Sequence, residues 1–406
     1  MSNGRDVREV ACDRRTAIRT IAGIALAVSR ASDLSATPQT KDAHVPTRSR
    51  IVYVGCRTTR ERNARGDGIT VYRAPDDGAA WEEIQRLDGL VNPSFLAFDH
   101  ARRTLYTVHG DGSDVSSFRV DARDGRLTFI NRVGCRGKNP VHLVVAPSGR
   151  HLVVANHLTV GPHVSSLAVL AIGADGALGE VVDHHPLTGR IGPHRTEQPF
   201  AKPHQVVFDP AGRFLAVPDK GLDLVSTFRL DEAGRLHPSG APPAAAREGA
   251  GPRHLAFHPT LPFVFVLNEL SSTVMACAYA PDTGAITPHQ EISALPDTFV
   301  GFSRASEIEI ARDGRFVYAS NRGHESIAAF AVDAATGRLA PVGWTDAAGR
   351  TPRFFTLDPS ADRVLVANED SDGVVSFARD PDSGRLLEPS PVARTGSPTC
   401  LLVGAG

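Results

Sequence analysis

The sequence predicts an all-β chain: a seven-bladed β-propeller of four-stranded blades, with the ring closed by pairing of the C-terminal strand with the first blade. Three observations carry this prediction. First, from Ile51 onward an apolar run led by or beginning just after a Pro recurs: NPSFLAF at 92, NPVHLVV at 139, KPHQVVF at 202, GPRHLAF at 251, TPRFFTL at 351 and SPTCLLV at 397, with a Pro-less cousin, RASEIEI, at 304. Most of these copies stand 46 to 53 residues apart, a period that belongs to propeller blades. Second, 37 Gly and 29 Pro are more than a helical chain wants and suit many short strands joined by turns. Third, the repeat is cut out of phase. The repetitive part starts with IVYVG (51–55) and ITVYR (69–73), the second and third strands of a unit, and ends with TCLLVG, a first strand with no successor. Pairing the two ends removes the exposed sheet edges.

Within a copy, a second run follows a turn rich in Asp, Pro and Gly: TLYTVHG, HLVVANH, FLAVPDK, FVFVLNE, FVYASNR and VLVANED. A third run, such as LVSTFRL or SIAAFAV, ends shortly before a DG or TG turn, and a weaker fourth completes the unit. None of these runs has the three-and-four spacing of an amphipathic helix. One four-stranded blade cannot bury both of its faces, whereas seven in a ring can. We therefore expect one propeller domain over 51–406, with the segment His184–Gln198 inserted before the third Pro-led strand and its His-rich part, 184–194, read as a solvated loop.

Residues 1–50 differ from the rest. Arg14-Arg15 followed by TAIRTIAGIALAV and a polar tail has the layout of a twin-arginine export signal, although Ala17 and Arg19 weaken the apolar run. The run is too short to span a bilayer, and the compartment stays open between cytoplasm and periplasm.

Composition excludes several classes. A net charge of −1 argues against a protein that tracks nucleic-acid phosphates. The five Cys (12, 56, 135, 277, 400) have no zinc-ligand spacing and read as small buried side chains, with Cys56 and Cys400 brought near each other if the chain ends meet. There is no GxSxG elbow, no HExxH and no Gly-rich phosphate loop leading into a helix. No metal and no cofactor is expected. Nor is a membrane or nucleic-acid partner, and we expect a monomer or weak dimer.

Chemistry is expected where strand ends converge on the mouth of the central channel. Just after the strand-initial Pro, or one further on, stand His142, His204, Gln205, Arg253, His254, Glu307 and Arg353. Just after the second strand stand His109, His157, Asp219, Lys220, Glu269, Arg322 and Glu369. The preceding Asn156, Asn268, Asn321 and Asn368 read as loop-bonding structural residues, and His109, His142 and His157 as structural or solvated. The charged set Arg253, His254, Glu269, Glu307 and Arg322 is costly on adjacent blades unless its members pair or bind something. Arginines of this kind hold carboxylate or phosphate, and a Glu or His takes a proton.

The stretches PHQVVFDPAGRFLAVPDKGLDLVSTFRLD, GAGPRHLAFHPTLPFVFVLNELSSTV, SEIEIARDGRFVYASNRGHESIAAFAVD and TPRFFTLDPSADRVLVANEDSDGVVSFARD resemble the lactonase family of seven-bladed propellers. That family includes the bacterial propeller-type 6-phosphogluconolactonases and is related to the fungal carboxymuconate lactonizing enzymes. The resemblance implies a metal-independent lactone hydrolase of carbohydrate metabolism, acting on a small and acidic lactone in the pentose phosphate pathway. It also implies a catalytic set His204, Arg253, Glu269 and Arg322, with either Glu269 or His204 activating water. His254, Glu307, Arg353 and Gln205 are expected to bind substrate or support the site. Departures from the family pattern stand at Lys202, where a His is common, at His109-Gly110, where Asn-Glu is common, and at His157, where an aromatic is common. Two rival readings remain at this point: a non-catalytic propeller that displays a binding surface, and a muconate-type cycloisomerase.

Overall fold

A computed structural model describes residues 49–404, and the N-terminal export-signal reading lies outside the described residues. Seven antiparallel sheets follow one another around a ring. Blade 1 takes its innermost strand, Pro398–Val403, from the C-terminal end and its other strands from Ser49–Cys56, Gly68–Pro75 and Glu82–Asp88. Closure is therefore by backbone pairing, with Val52 opposite Val403, Val54 opposite Leu401 and Gly55 opposite Cys400. The innermost strands of blades 2 to 7 are Leu96–Phe98, Pro140–Val145, Val207–Phe208, Pro252–Phe257, Arg304–Ile310 and Pro352–Leu357. Blade 4 alone adds a fifth short strand, Ala244–Ala245.

The second strands show why the ring is the stable form. Side chains alternate across a strand with period two. In Phe263–Asn268, Phe265 and Leu267 pack into the apolar cluster shared with blade 6, while Val264 and Val266 pack into the one shared with blade 4. Both faces are thus apolar, which is why these strands read as continuous hydrophobic runs. Each apolar cluster spans neighbouring blades, so no blade holds a core of its own. Burial of one such Phe contributes about 1.5–3 kcal/mol.

The turns before the fourth strands also tie blades together. Tyr53, Tyr106 and Tyr318 donate their hydroxyls to the carbonyls of Gly125, Gly176 and Gly384 in the following blade. Gly384 sits at φ +71° with the ring of Phe316 2.3 Å from where a Cβ would stand, so both the backbone and the packing demand glycine.

One sequence expectation needs adjustment. The inserted segment starts later than expected, because His184, His185 and Pro186 complete the fourth strand of blade 3, Leu178–Pro186. Glu197, beyond the stretch read as solvated, belongs to the ion pairs described below. Cys56 and Cys400 lie in neighbouring strands, and both are free buried thiols.

Candidate active site

In blades 3, 4, 5 and 7 the Pro that leads the inner strand pairs with the polar residue that ends the second strand: Pro140 with Asn156, Pro203 with Asp219, Pro252 with Asn268 and Pro352 with Asn368. In three of these blades the ladder then skips a residue and resumes at His142, His254 and Phe354. A bulge of this kind re-aims the skipped side chain, and here it re-aims Val141, Arg253 and Arg353. A second hydrogen bond recurs one position past the second strand, where the N–H of Arg57, Gly110, His157, Lys220, Glu269 or Glu369 donates to the carbonyl of the residue before the Pro. The repeat therefore delivers residues to the axis in tiers. The upper tier holds Arg57, Gly110, His157, Lys220, Glu269, Arg322 and Glu369. The middle tier is the residue after the Pro, among them His204, Arg253 and Arg353. The floor is the next position, with Phe95, His142, Gln205, His254, Glu307, Phe354 and Cys400.

Glu269 is the electrostatic centre of the upper tier. Its Oε1 lies 3.1 Å from Lys220 Nζ and 3.6 Å from Arg304 Nη1; its Oε2 lies 3.0 Å from Arg253 Nε and 3.4 Å from Arg322 Nη2. Burial alone would push this carboxyl up, but Lys220, Arg322 and Arg253 hold it well below the usual carboxylate range. A carboxylate so clamped stays ionised and is a poor proton acceptor. Its work is to hold the guanidinium groups in place. Arg253 also donates to the Ser306 carbonyl and Arg322 to that of Ala305 at 2.9 Å. Burial and then Arg322 lower Arg253, against the opposing pull of Glu269, to about 9.

A second chain runs through the floor. His204 Nδ1 lies 3.1 Å from His254 Nε2, and His254 Nδ1 lies 2.7 Å from Glu307 Oε1, which also accepts from the Ile308 N–H. This network assigns the tautomers: His204 carries its proton on Nδ1, His254 carries its own on Nδ1, and His204 Nε2 is left unprotonated. Burial, then the neighbouring cations, lower both imidazoles well below their ordinary range, so both are neutral at pH 7. Burial pushes Glu307 up to about 8. Its Oε2 has no partner.

The structure thus joins Arg253, Glu269 and Arg322 in one contact group and His204, His254 and Glu307 in another. Arg353 is one blade further on, 3.4 Å from Glu369. Gln205 turns away from the mouth and braces blade 5 by accepting the Leu255 N–H at 2.7 Å. Of the residues read as structural, His109 bridges the Val91 carbonyl and Ser116 Oγ, and Asn321 and Asn368 bond the Ala294 and Ala347 carbonyls. Asn268 instead bonds the side chain of Thr273.

Sequence reasoning left out four partners of the site. Lys220 stood among the strand-end residues but not in the expected site set. Arg57 pairs with Glu369 at 3.1 Å, and its signal was its place directly after IVYVGC. Arg304 opens the one copy without a Pro. Glu197, at the end of the inserted segment, pairs with Arg304 at 2.6 Å and Lys220 at 3.3 Å, and so fastens that segment across the mouth. Among the described residues no group of three or more His, Cys, Asp or Glu is arranged to hold a metal ion. A concavity of about 480 Å3, lined by Asp99, Arg103, Tyr106, Arg119 and Asp175 among others, includes none of these site residues.

The family model described as "Lactonase, 7-bladed beta-propeller" matches residues 51–403. The chain is 35% identical over 347 residues to the 6-phosphogluconolactonase of Bacillus subtilis, covering 84% of this chain and 95% of that protein. It is 30% identical to the 6-phosphogluconolactonase of Formosa agariphila, covering 79% and 91% of the two chains. Among solved structures, the periplasmic gluconolactonase of Pseudomonas aeruginosa superposes with a TM-score of 0.80 at 33% identity, covering 88% of this chain and 99% of the other. The repeat, the ring and the match along its length agree: this chain belongs to the lactonase family of seven-bladed β-propellers.

Proposed function

We propose that this protein hydrolyses a sugar lactone bearing an acidic substituent, of the 6-phosphogluconolactone type. The observation that carries the reading is His204. Its Nδ1 is committed to His254, its Nε2 makes no hydrogen bond within the protein, and Arg253 acts on it as a nearby cation, with Arg322 joined to Arg253 through their shared Glu269 carboxylate. The printed names of the relatives support the same substrate class.

In this reading His204 Nε2 takes a proton from water as the water oxygen attacks the lactone carbonyl. A base held this way contributes about 10²–10⁴-fold. Arg253 and Arg322 stabilise the oxyanion, a role worth about 10²–10³-fold in comparable sites. The ring C–O bond then breaks and the alkoxide takes a proton. Glu269 is not the base, because the cations that hold it ionised also remove its basicity. Cations at the mouth outnumber carboxylates: Arg57, Lys202, Lys220, Arg253, Arg304, Arg322 and Arg353 face Asp111, Glu197, Glu269 and Glu369. That surplus favours an anionic lactone.

The test is proton release in a pH-stat on six-membered aldonolactones with and without a 6-phosphate, measured against spontaneous opening. Wild-type protein is expected to accelerate opening, and Arg253→Ala to lose about 10²-fold or more of that acceleration. A wild type that opens none of these lactones overturns the proposal.

A further inference from the structure

The floor of the mouth is built of packed rings and is crossed by the hydrogen-bonded chain His204–His254–Glu307. Phe95 stacks on His142 with ring centroids 3.9 Å apart, His142 meets His254 at 5.7 Å, and Phe95 meets Phe354 at 6.0 Å. Beneath these rings the central channel opens into a cavity of about 390 Å3, lined by Gln205, Val207, Leu255, Phe257, Glu307 and Glu309 among others. Glu307 is therefore shared: its Oε1 accepts from His254 on the mouth side, and it also lines the channel below. Its Oε2 is a buried oxygen with no protein partner, on a residue only 4% exposed.

We propose that the proton released by lactone hydrolysis leaves the site through this floor, passing from His204 by way of His254 and Glu307 into water of the central channel. The inference rests on the hydrolytic reading above. Each turnover adds the water oxygen to the acyl carbon and breaks the ring C–O bond. One proton of that water ends on the ring oxygen, and the other is given up when the carboxylic acid product ionises. That second proton enters His204 at Nε2. The Nδ1 proton of His204 moves to His254 Nε2, the Nδ1 proton of His254 moves to Glu307 Oε1, and the proton on Glu307 Oε2 passes to channel water. Proton, donor and acceptor balance at every step, and the chain then resets by reversing its tautomers.

Electrostatics set the direction. Arg253, in the same tier as His204, and Arg322, Arg304, Lys220 and Lys202 on the mouth side oppose the passage of a cation through the mouth. Below it lie two carboxyl groups, Glu307 and Glu309. The groups that face Glu307 are His254 and Arg253 from blade 5, Arg353 from blade 7, the buried Cys400 thiol from blade 1 and Glu309 on its own strand. Glu309 accepts the Leu357 N–H at 2.8 Å, and the solvent it meets lies inside the ring. Burial pushes both carboxyls up to about 8, a value suited to taking and releasing protons near neutrality.

The experiment uses the full chain and three readouts. Glu307→Gln keeps an acceptor oxygen for His254 but has no acidic proton to pass on. Its kcat on 6-phosphogluconolactone is expected to fall about tenfold or more with KM within about twofold. Glu307→Ala is expected to be restored by formate, which fits the cavity, and not by a bulky sulfonate buffer. Unchanged kcat in Glu307→Gln overturns the proposal, as does a Glu307→Ala variant, folded by circular dichroism, that formate fails to restore or that both buffers restore equally. The wild-type rate in the same assay tests the hydrolytic reading separately. A readout that needs no lactone is the infrared carboxylic-acid band missing from Glu307→Gln: it is expected to disappear as pH rises through about 8, and its absence below about pH 7 overturns the relay.

Discussion

Two sectors of the same ring share a backbone and differ in almost everything placed on it. In blades 4 to 7 and on into blade 1 the upper tier runs Lys220, Glu269, Arg322, Glu369, Arg57, a cation and a carboxylate in turn, with Arg253 and Arg353 below. In blades 2 and 3 the equivalent upper positions are Gly110 and His157, and the floor is Phe95 stacked on His142. The Pro-led strand, the bulge and the recurring N–H bond are the same on both sides where each is present. The difference teaches that the repeat supplies addresses and the side chains supply chemistry. In the proposed reading the charged sector holds the anionic substrate and stabilises developing charge, and the neutral sector is the apolar wall beside it, where charges act more strongly.

The contrast sets an order of expected effects. The largest belongs to chemistry in the charged sector: His204→Gln or Arg253→Ala is expected to lower kcat/KM by about 10²-fold or more, and the double variant to lose little beyond either single, because the two act on one transition state. The next is structural. Glu269→Gln leaves Lys220, Arg253, Arg304 and Arg322 without their shared counterion, and is expected to cost about 3–5 kcal/mol in urea unfolding. A loss under about 1 kcal/mol would break the claim that Glu269 organises the sector.

The third concerns pH. His204 is lowered well below its ordinary value, so the free base persists into acid. The acid limb of kcat/KM is expected well below pH 6.5, the ordinary imidazole value, whereas a limb at that value contradicts the burial argument. Stability gives an opposite pair. Glu269, depressed in the folded state, contributes stability that is present above the ordinary carboxylate value and lost as pH falls. Glu307, raised to about 8, favours the folded state most below 4.5 and loses that contribution as pH rises toward 8. Glu307→Gln is therefore expected to gain on wild type in urea midpoint across that alkaline approach. The smallest effect lies in the neutral sector: His109→Asn is expected to cost about 1 kcal/mol through lost hydrogen bonds and to leave kcat/KM within about twofold.

Most of the fold was legible because period-two apolar runs recur at blade spacing and the chain starts out of phase. The core of the site was legible for a related reason. A charge at the end of a strand buried on both faces, such as Glu269 after FVFVLN, has few inexpensive explanations. What escaped lacked a repeat to be aligned with. Arg57 belongs to a blade whose first strand comes from the far end of the chain. Arg304 opens a copy without its Pro. Glu197 sits in a segment no other blade has. The sequence left open which of Glu269 and His204 is the base, because the proposed choice rests on four cations converging from three blades on one carboxylate, which spacing along a chain does not encode.

The most direct test of the account is kcat/KM for 6-phosphogluconolactone, corrected for spontaneous opening, in wild-type protein and in His204→Gln. The expected result is clear acceleration by the wild type that falls by about 10²-fold or more in the variant, with the thermal unfolding midpoint little changed. Equal rates in the two proteins would contradict the assignment of the base and, with it, the claim that the charged sector around His204 carries the reaction.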